Sequence, residues 1–399
     1  MQKDAGLHLS SLVQLLLNGL GVLFFLTTAS GFAVTGMISL GTGKVMAVDI
    51  LPFFTLAWTS GLVAVLLLPA LVFSLLRLIH RQPPALRLPN GYRLASRLML
   101  FAWPALVLLG QAVSNLPGVA LFLLPPIQLL VVGMPLWWFV ERGRKDVASA
   151  EPERNWKTLS FGLLVSPPAA LVAEFVVLGM LMVAIVVWAA SQPGMNAEIN
   201  RLAQRMIDTQ IDPEIALSIL RPYLQRPTVI LAILVVGGGL IPLVEEFFKP
   251  LALWAMAPRL TPAAGFVAGT ICGAAFALLE SMGTLVGPTE DVWAGVVIGR
   301  VGTGLLHTVN SGLVGWGLAA AWSQEHYLDL GVVFLLAVAL HGTWNVFSIL
   351  LGISPLFRWM GASDGLVTRL GMIAPAILGV LMVTFYLLLS GSNRRLRSL

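Results

Sequence analysis

The sequence predicts an all-α fold, a polytopic transmembrane helical bundle of about ten spans, and three observations carry that expectation. Hydrophobic residues make up 57% of the 399-residue chain and charged residues only 11%, far from the balance of a soluble domain. Several apolar runs reach 18 residues or more, the length at which a helix can cross a hydrocarbon core. Basic residues gather in the short segments between those runs, where they orient a membrane protein and give no reason to expect a nucleic-acid partner.

Taken in order, the expected spans are about 12–40, 51–79, 97–113, 117–140, 158–190, 228–257, 262–285, 293–322, 329–352 and 366–390. The first is too long for the apolar core of a cleavable signal peptide and is followed by another span. With the N-terminus cytoplasmic, the loops on that side carry Arg77, Arg81, Arg87, Arg93 and Arg97, then Arg142, Arg144, Lys145, Arg154 and Lys157, then Arg259, and finally Arg394, Arg395 and Arg397. The opposite side holds chiefly Lys44, Arg201, Arg205, Arg221, Arg226, Arg358 and Arg369, so the positive-inside rule puts both termini in the cytoplasm. Four segments follow: an N-terminal bundle of about five spans over 1–190, extramembrane amphipathic helices over 191–227, a catalytic core over 228–352, and a final span with a basic tail over 353–399.

Two stretches read as lying outside the bilayer. The segment from Arg77 to Arg97 is expected to be a basic cytoplasmic linker beside anionic lipid. In the second, Asn196 is placed to cap a helix with Ile199, Leu202 and Met206 on one side, and Asp212-Pro213-Glu214 to start another carrying Ile215, Ile219 and Leu224. The single cysteine, Cys272, excludes an intrachain disulfide and a multi-Cys zinc site.

Chemistry concentrates between Gly237 and Leu351. Glu245, Glu246 and Lys249 stand inside the sixth apolar run, where one uncompensated charge costs about 2.5 to 3.5 kcal/mol on insertion scales. Lys249 is at helical spacing from both glutamates and can neutralise one, which leaves the other to explain. Gly237-Gly238-Gly239 and Pro242 are expected to break this helix just before the carboxylates. The seventh run holds one acid, Glu280, a turn from Phe276. The eighth holds Arg300, His307, Asn310 and Ser311, and the ninth His341 and Asn345 at i,i+4.

Three carboxylates, two imidazoles and an amide suit peptide-bond hydrolysis, which needs a base to activate water, donors for the oxyanion and an acid for the leaving amine. Glu245 or Glu246 could be the base, with His307, His341 and Asn345 as donors. The same set could instead bind zinc, with His307, His341 and Glu280 as ligands and a remaining glutamate as base. HExxH, the local signature of many zinc peptidases, is not present. A secondary transporter or proton-coupled carrier would bury the same Glu, Lys and His residues, and a non-catalytic scaffold is a further alternative.

These motifs carry a resemblance. Glu245-Glu246-Phe247-Phe248-Lys249, then Phe276 through Glu280, then Arg300 ahead of His307, then His341-Gly342-Thr343-Trp344-Asn345, resemble the motif set of the PrsW family of intramembrane proteases and, more distantly, the CAAX prenyl endopeptidases. The resemblance covers about residues 237–350. It implies a multi-pass endopeptidase of the bacterial plasma membrane acting on membrane-anchored proteins, anti-sigma factors among them. Carried over residue by residue, it implies Glu245, Glu246, Glu280, His307 and His341 as catalytic, with Lys249, Arg300 and Asn345 supporting. Members are usually called metallopeptidases, whereas a metal-free glutamate mechanism is argued for the prenyl relatives.

Overall fold

The computed structural model describes residues 2–43, 46–81, 92–147, 152–208, 213–287, 290–361 and 365–397. Among these the regular elements are helical, with no strand: α1 Gln2–Thr42, α2 Ala47–Leu78, α3 Tyr92–Ser114, α4 Pro117–Arg144, α5 Pro152–Leu164, α6 Ser166–Ser191, α7 Met195–Asp208, α8 Pro213–Leu224, α9 Pro227–Val235, α10 Ile241–Phe248, α11 Leu251–Met256, α12 Pro262–Thr284, α13 Trp293–Gln324, α14 Tyr327–Trp359 and α15 Leu366–Arg397. Nine helices among the described residues are long and apolar enough to cross a membrane. Nine of the ten expected spans coincide with them. The eighth, α13, is diluted by Arg300, His307, Asn310 and several glycines, but the stretch from Gly302 to Gly312 is buried throughout. Protein rather than lipid surrounds it there, so it needs no uniformly apolar surface.

Local chemistry explains where the boundaries differ from expectation. The fifth span is two helices, because Ser166 is followed by Pro167 and Pro168, which cannot continue the ladder of α5. The linker expected from Arg77 is shorter at both ends, since Arg77 lies in the last turn of α2 and α3 starts at Tyr92. Residues 82–91, with Arg87, lie outside the described residues. Arg77 also does more than orient the chain. Its Nε lies 3.0 Å from both Glu153 oxygens, its terminal nitrogen 2.7 Å from one, and Lys157 adds a 2.8 Å contact to the same carboxylate. The short helices α7 and α8 form as expected, although α7 starts at Met195 and so takes Asn196 into its first turn. Asp212 lies outside the described residues.

The chain divides into two compact units. One comprises Met1–Pro167, Phe248–Ala337 and Met382–Leu399, the other Pro168–Phe247 and Val338–Leu381.

In the first unit α12 and α13 form an antiparallel hairpin. Gly265, Gly269 and Gly273, one turn apart on α12, lie against the backbone of Gly315, Ser311 and His307 on α13, and a methyl group at any of the three would collide with a carbonyl there. Small residues at this spacing let helix backbones approach within the membrane, where packing replaces the hydrophobic effect as the source of association. The earlier helices hold the hairpin's connecting end. Gln128 of α4 donates to Leu285 O at 3.2 Å and receives the Thr55 hydroxyl, also at 3.2 Å, while Gln111 of α3 accepts the Ala294 N–H at 2.9 Å. The bonds to Leu285 O and from Ala294 N–H each satisfy a backbone group that a helix end leaves without an intrahelical partner. The buried Trp293 ring fills the space beside Gly110.

The second unit has its own apolar cluster. Leu350, Phe357, Met360 and Val367 are buried, and Ile230, Leu234, Val346 and Phe347 pack against them. Arg221 of α8 donates to Met360 O and ties that helix to the end of α14.

Candidate active site

In the first unit the polar residues form one connected row. Lys249 follows the last residue of α10 and is fully buried. Its Nζ stands 2.8 Å from Nδ1 of His307 and 4.9 Å from the centre of the Phe276 ring. His307 Nε2 stands 2.7 Å from Glu280 Oε2. The same oxygen meets the Arg300 guanidinium at 2.9 Å, and Arg300 Nε donates to Ser281 Oγ at 3.1 Å. Phe276 meets the His307 ring edge-on, with centroids 5.5 Å apart.

This geometry assigns the imidazole tautomer. An ammonium has no lone pair, so Lys249 donates, Nδ1 accepts, and the proton sits on Nε2, which donates to Glu280. The chain of charge-assisted bonds keeps a lysine and a carboxylate tolerable in an apolar bundle, where either alone would cost several kcal/mol. The glycine seam makes the row possible: Gly273 rests against the His307 carbonyl, which brings the α13 backbone close to the turn of α12 that leads to Phe276 and Glu280. Phe276 and Glu280 share a face of α12, as their spacing predicts, and Arg300 and His307 both reach Glu280 from α13. A metal would reach either nitrogen of His307 only in place of Lys249 or Glu280.

In the second unit α10 presents the glutamates to α14. Glu245, Glu246 and His341 are all buried. His341 Nδ1 lies 2.9 Å from Glu246 Oε1, and its Nε2 lies 3.8 Å from Glu245 Oε2. A carboxylate accepts, so Nδ1 carries the proton and the Nε2 lone pair is directed at the other carboxylate side.

The expected helix break is a π-helical turn over Val236–Leu240, with Ile241 N–H bonded to Val236 O. Two adaptations on α14 receive it. Gly342, next to His341, lets the Gly238 carbonyl approach so closely that a methyl group would collide with it. Asn345 Nδ2 donates to Gly237 O at 3.0 Å. The carbonyl that Asn345 meets is the protein's own. Gly342 and Ser281 were not singled out in the sequence. Gly342 adjoins a motif histidine, whereas nothing at Ser281 signals its partner.

Zinc is one of the two readings the sequence offers, and the donors present fit it. Glu245 and His341 offer the oxygen and imidazole nitrogen that zinc takes, and a second carboxylate on Nδ1–H is the usual support of a metal-binding histidine. Two tetrahedral ligands at about 2.0–2.1 Å stand about 3.3 Å apart, close to the 3.8 Å between Nε2 and Oε2.

Compared with family models, residues 166–387 match one described as PrsW family intramembrane metalloprotease. The matched stretch contains Glu245, Glu246, Glu280, His307 and His341. No match is found among curated proteins or solved structures.

Proposed function

Because the chain belongs to the PrsW family of intramembrane metalloproteases, we propose that it cuts membrane-anchored proteins with Glu245, Glu246 and His341 at the reacting centre. The peptidase family sets aside the transporter and scaffold readings. The observation that carries the assignment is the His341 ring, 2.9 Å from one glutamate and 3.8 Å from the next. Motif order in the sequence supports Glu280 and His307 as members of the same catalytic set, with Lys249 and Arg300 balancing charge around them.

Each residue then has a task. Glu246 accepts the Nδ1 proton of His341, which keeps the Nε2 lone pair available. His341 Nε2 and Glu245 would hold the metal; His307 and Glu280 are the further ligands the sequence offers. A zinc ion held there would lower the pKa of a bound water to about 7 and polarise the scissile carbonyl. Glu246 takes a proton from the attacking water through its other oxygen and returns it to the amine as the C–N bond breaks. Cleavage in a co-expressed library of tagged single-span proteins, anti-sigma-type regulators included, tests the activity. Purified protein should carry near-stoichiometric zinc, a His307→Ala, His341→Ala double variant should lose it, and Glu246→Gln should keep it. Full activity of chelated, metal-free protein would eliminate zinc and leave water activated by the glutamates alone.

Family membership supports a multi-pass protein of the bacterial plasma membrane, and the basic-residue asymmetry supports cytoplasmic termini. Reporters fused after Arg97 and Arg154 should report the cytoplasm and one near Asn200 the outer side. Labelling of a cysteine at position 200 only from the cytoplasm would reverse that orientation.

A further inference from the structure

We infer that Asn345 is a positioning residue whose amide fills the hydrogen-bond gap that Pro242 leaves in the π turn, and so sets where Glu245 and Glu246 stand against His341. The inference rests on the proposed roles of those three residues. It replaces the oxyanion-donor role that the sequence offers for Asn345.

The gap follows from the hydrogen-bond register. Ile241 N–H bonds to Val236 O, five residues back. In that register the next donor would be residue 242 and its acceptor Gly237 O. Residue 242 is proline and has no N–H. Gly237 O would be left without its helical donor in a span where lipid supplies none. Asn345 Nδ2 stands 3.0 Å from that oxygen.

The placement of the amide gives it leverage on the site. Asn345 lies one turn beyond His341 on α14, so the helix that meets Glu246 through an imidazole also grips the turn leading to it. Between the two contacts, Gly342 rests against the Gly238 carbonyl, and Val346 and Ile349 pack on Gly238 and Gly237. The glycine contact sets the spacing of the two backbones. The directional bond from Asn345 sets their register. An amide donating to the protein's own carbonyl acts on the reaction through the carboxylates, and its loss should displace them while leaving substrate contacts unchanged.

The test pairs two substitutions in the purified full-length protein. Asn345→Leu removes the donor at similar volume and should lower kcat by about 10- to 100-fold, the scale of a misplacement near 1 Å, with KM within about threefold. Pro242→Ala restores a backbone N–H beside Gly237 O. The Pro242→Ala, Asn345→Leu double variant should therefore regain most of the lost kcat and of the unfolding midpoint. If Asn345→Leu does not accumulate, Asn345→Ser carries the same comparison. A folded single variant whose kcat Pro242→Ala does not rescue, or whose KM rises while kcat holds, overturns the inference. Coupled unfolding midpoints in a wild type that cuts nothing would sink the peptidase assignment and leave the tie between Asn345 and Gly237 standing.

Discussion

Glu246→Gln should lower the rate of substrate cleavage by at least about 10³-fold, within the range that loss of a general base produces, while the protein stays folded. Glutamine matches glutamate in shape, and its amide oxygen can still accept the Nδ1 proton of His341 that now lies 2.9 Å from Glu246 Oε1. The tautomer and the Nε2 lone pair survive, and only the capacity to take a proton from water is lost. Glu245→Gln should also abolish cleavage, because an amide is a poor substitute for a charged ligand. Rates in proteoliposomes, read beside unfolding midpoints and bound metal, separate the two glutamates. Wild-type cleavage by both single variants would remove them from the reacting centre.

His307→Ala should cost about 3 to 5 kcal/mol of stability, the scale measured when one member of a buried charged set is deleted. The ring is the group that receives the fully buried Lys249 ammonium at 2.8 Å and passes a proton-bearing nitrogen to Glu280 at 2.7 Å. Glu280 keeps Arg300 at 2.9 Å, whereas the buried ammonium loses the imidazole nitrogen that accepts from it. Lys249→Met in the same background should therefore restore much of the loss. Thermal unfolding in detergent measures both; a double variant no more stable than His307→Ala alone would mean that Lys249 does not depend on the imidazole.

Most of the spans are legible in the sequence because hydropathy reports directly on contact with lipid. α13 shows the limit of that signal. Its apolar content falls because other helices cover it, and only its polar residues at turn spacing single it out. The i,i+4 rule pairs Phe276 with Glu280 and His341 with Asn345 correctly, since each pair lies on one helix. It is silent on partners between helices, such as the contact of the Lys249 ammonium with His307, 58 residues on. The glycine spacing at 265, 269 and 273 was present to be read, but a small-residue stripe does not name the helix it faces. The division of α5 from α6 is similar: Pro167 and Pro168 mark the break, and apolar composition conceals it.

The π turn bears on a different question, the phase of the sixth span. An α-helix turns about 100° per residue, so in an unbroken helix Leu234 and Glu246 would point about 120° apart, and Ile230 and Glu246 about 160° apart. A π turn absorbs one additional residue, and the same pairs then differ by only about 20° and 60°. Ile230 and Leu234 pack on the cluster that includes Val346, Phe347 and Leu350 of α14, and Glu246 meets His341 of the same helix. Both halves of the span therefore address one partner, which a constant-period helical wheel would deny. Straightening the span with every residue kept would swing the glutamates by about one residue's rotation, some 100°, relative to the apolar anchor before them, whereas deleting Gly239 would remove the additional residue and keep the phase of the two halves. The extra residue in the helix turns the carboxylates toward the imidazole.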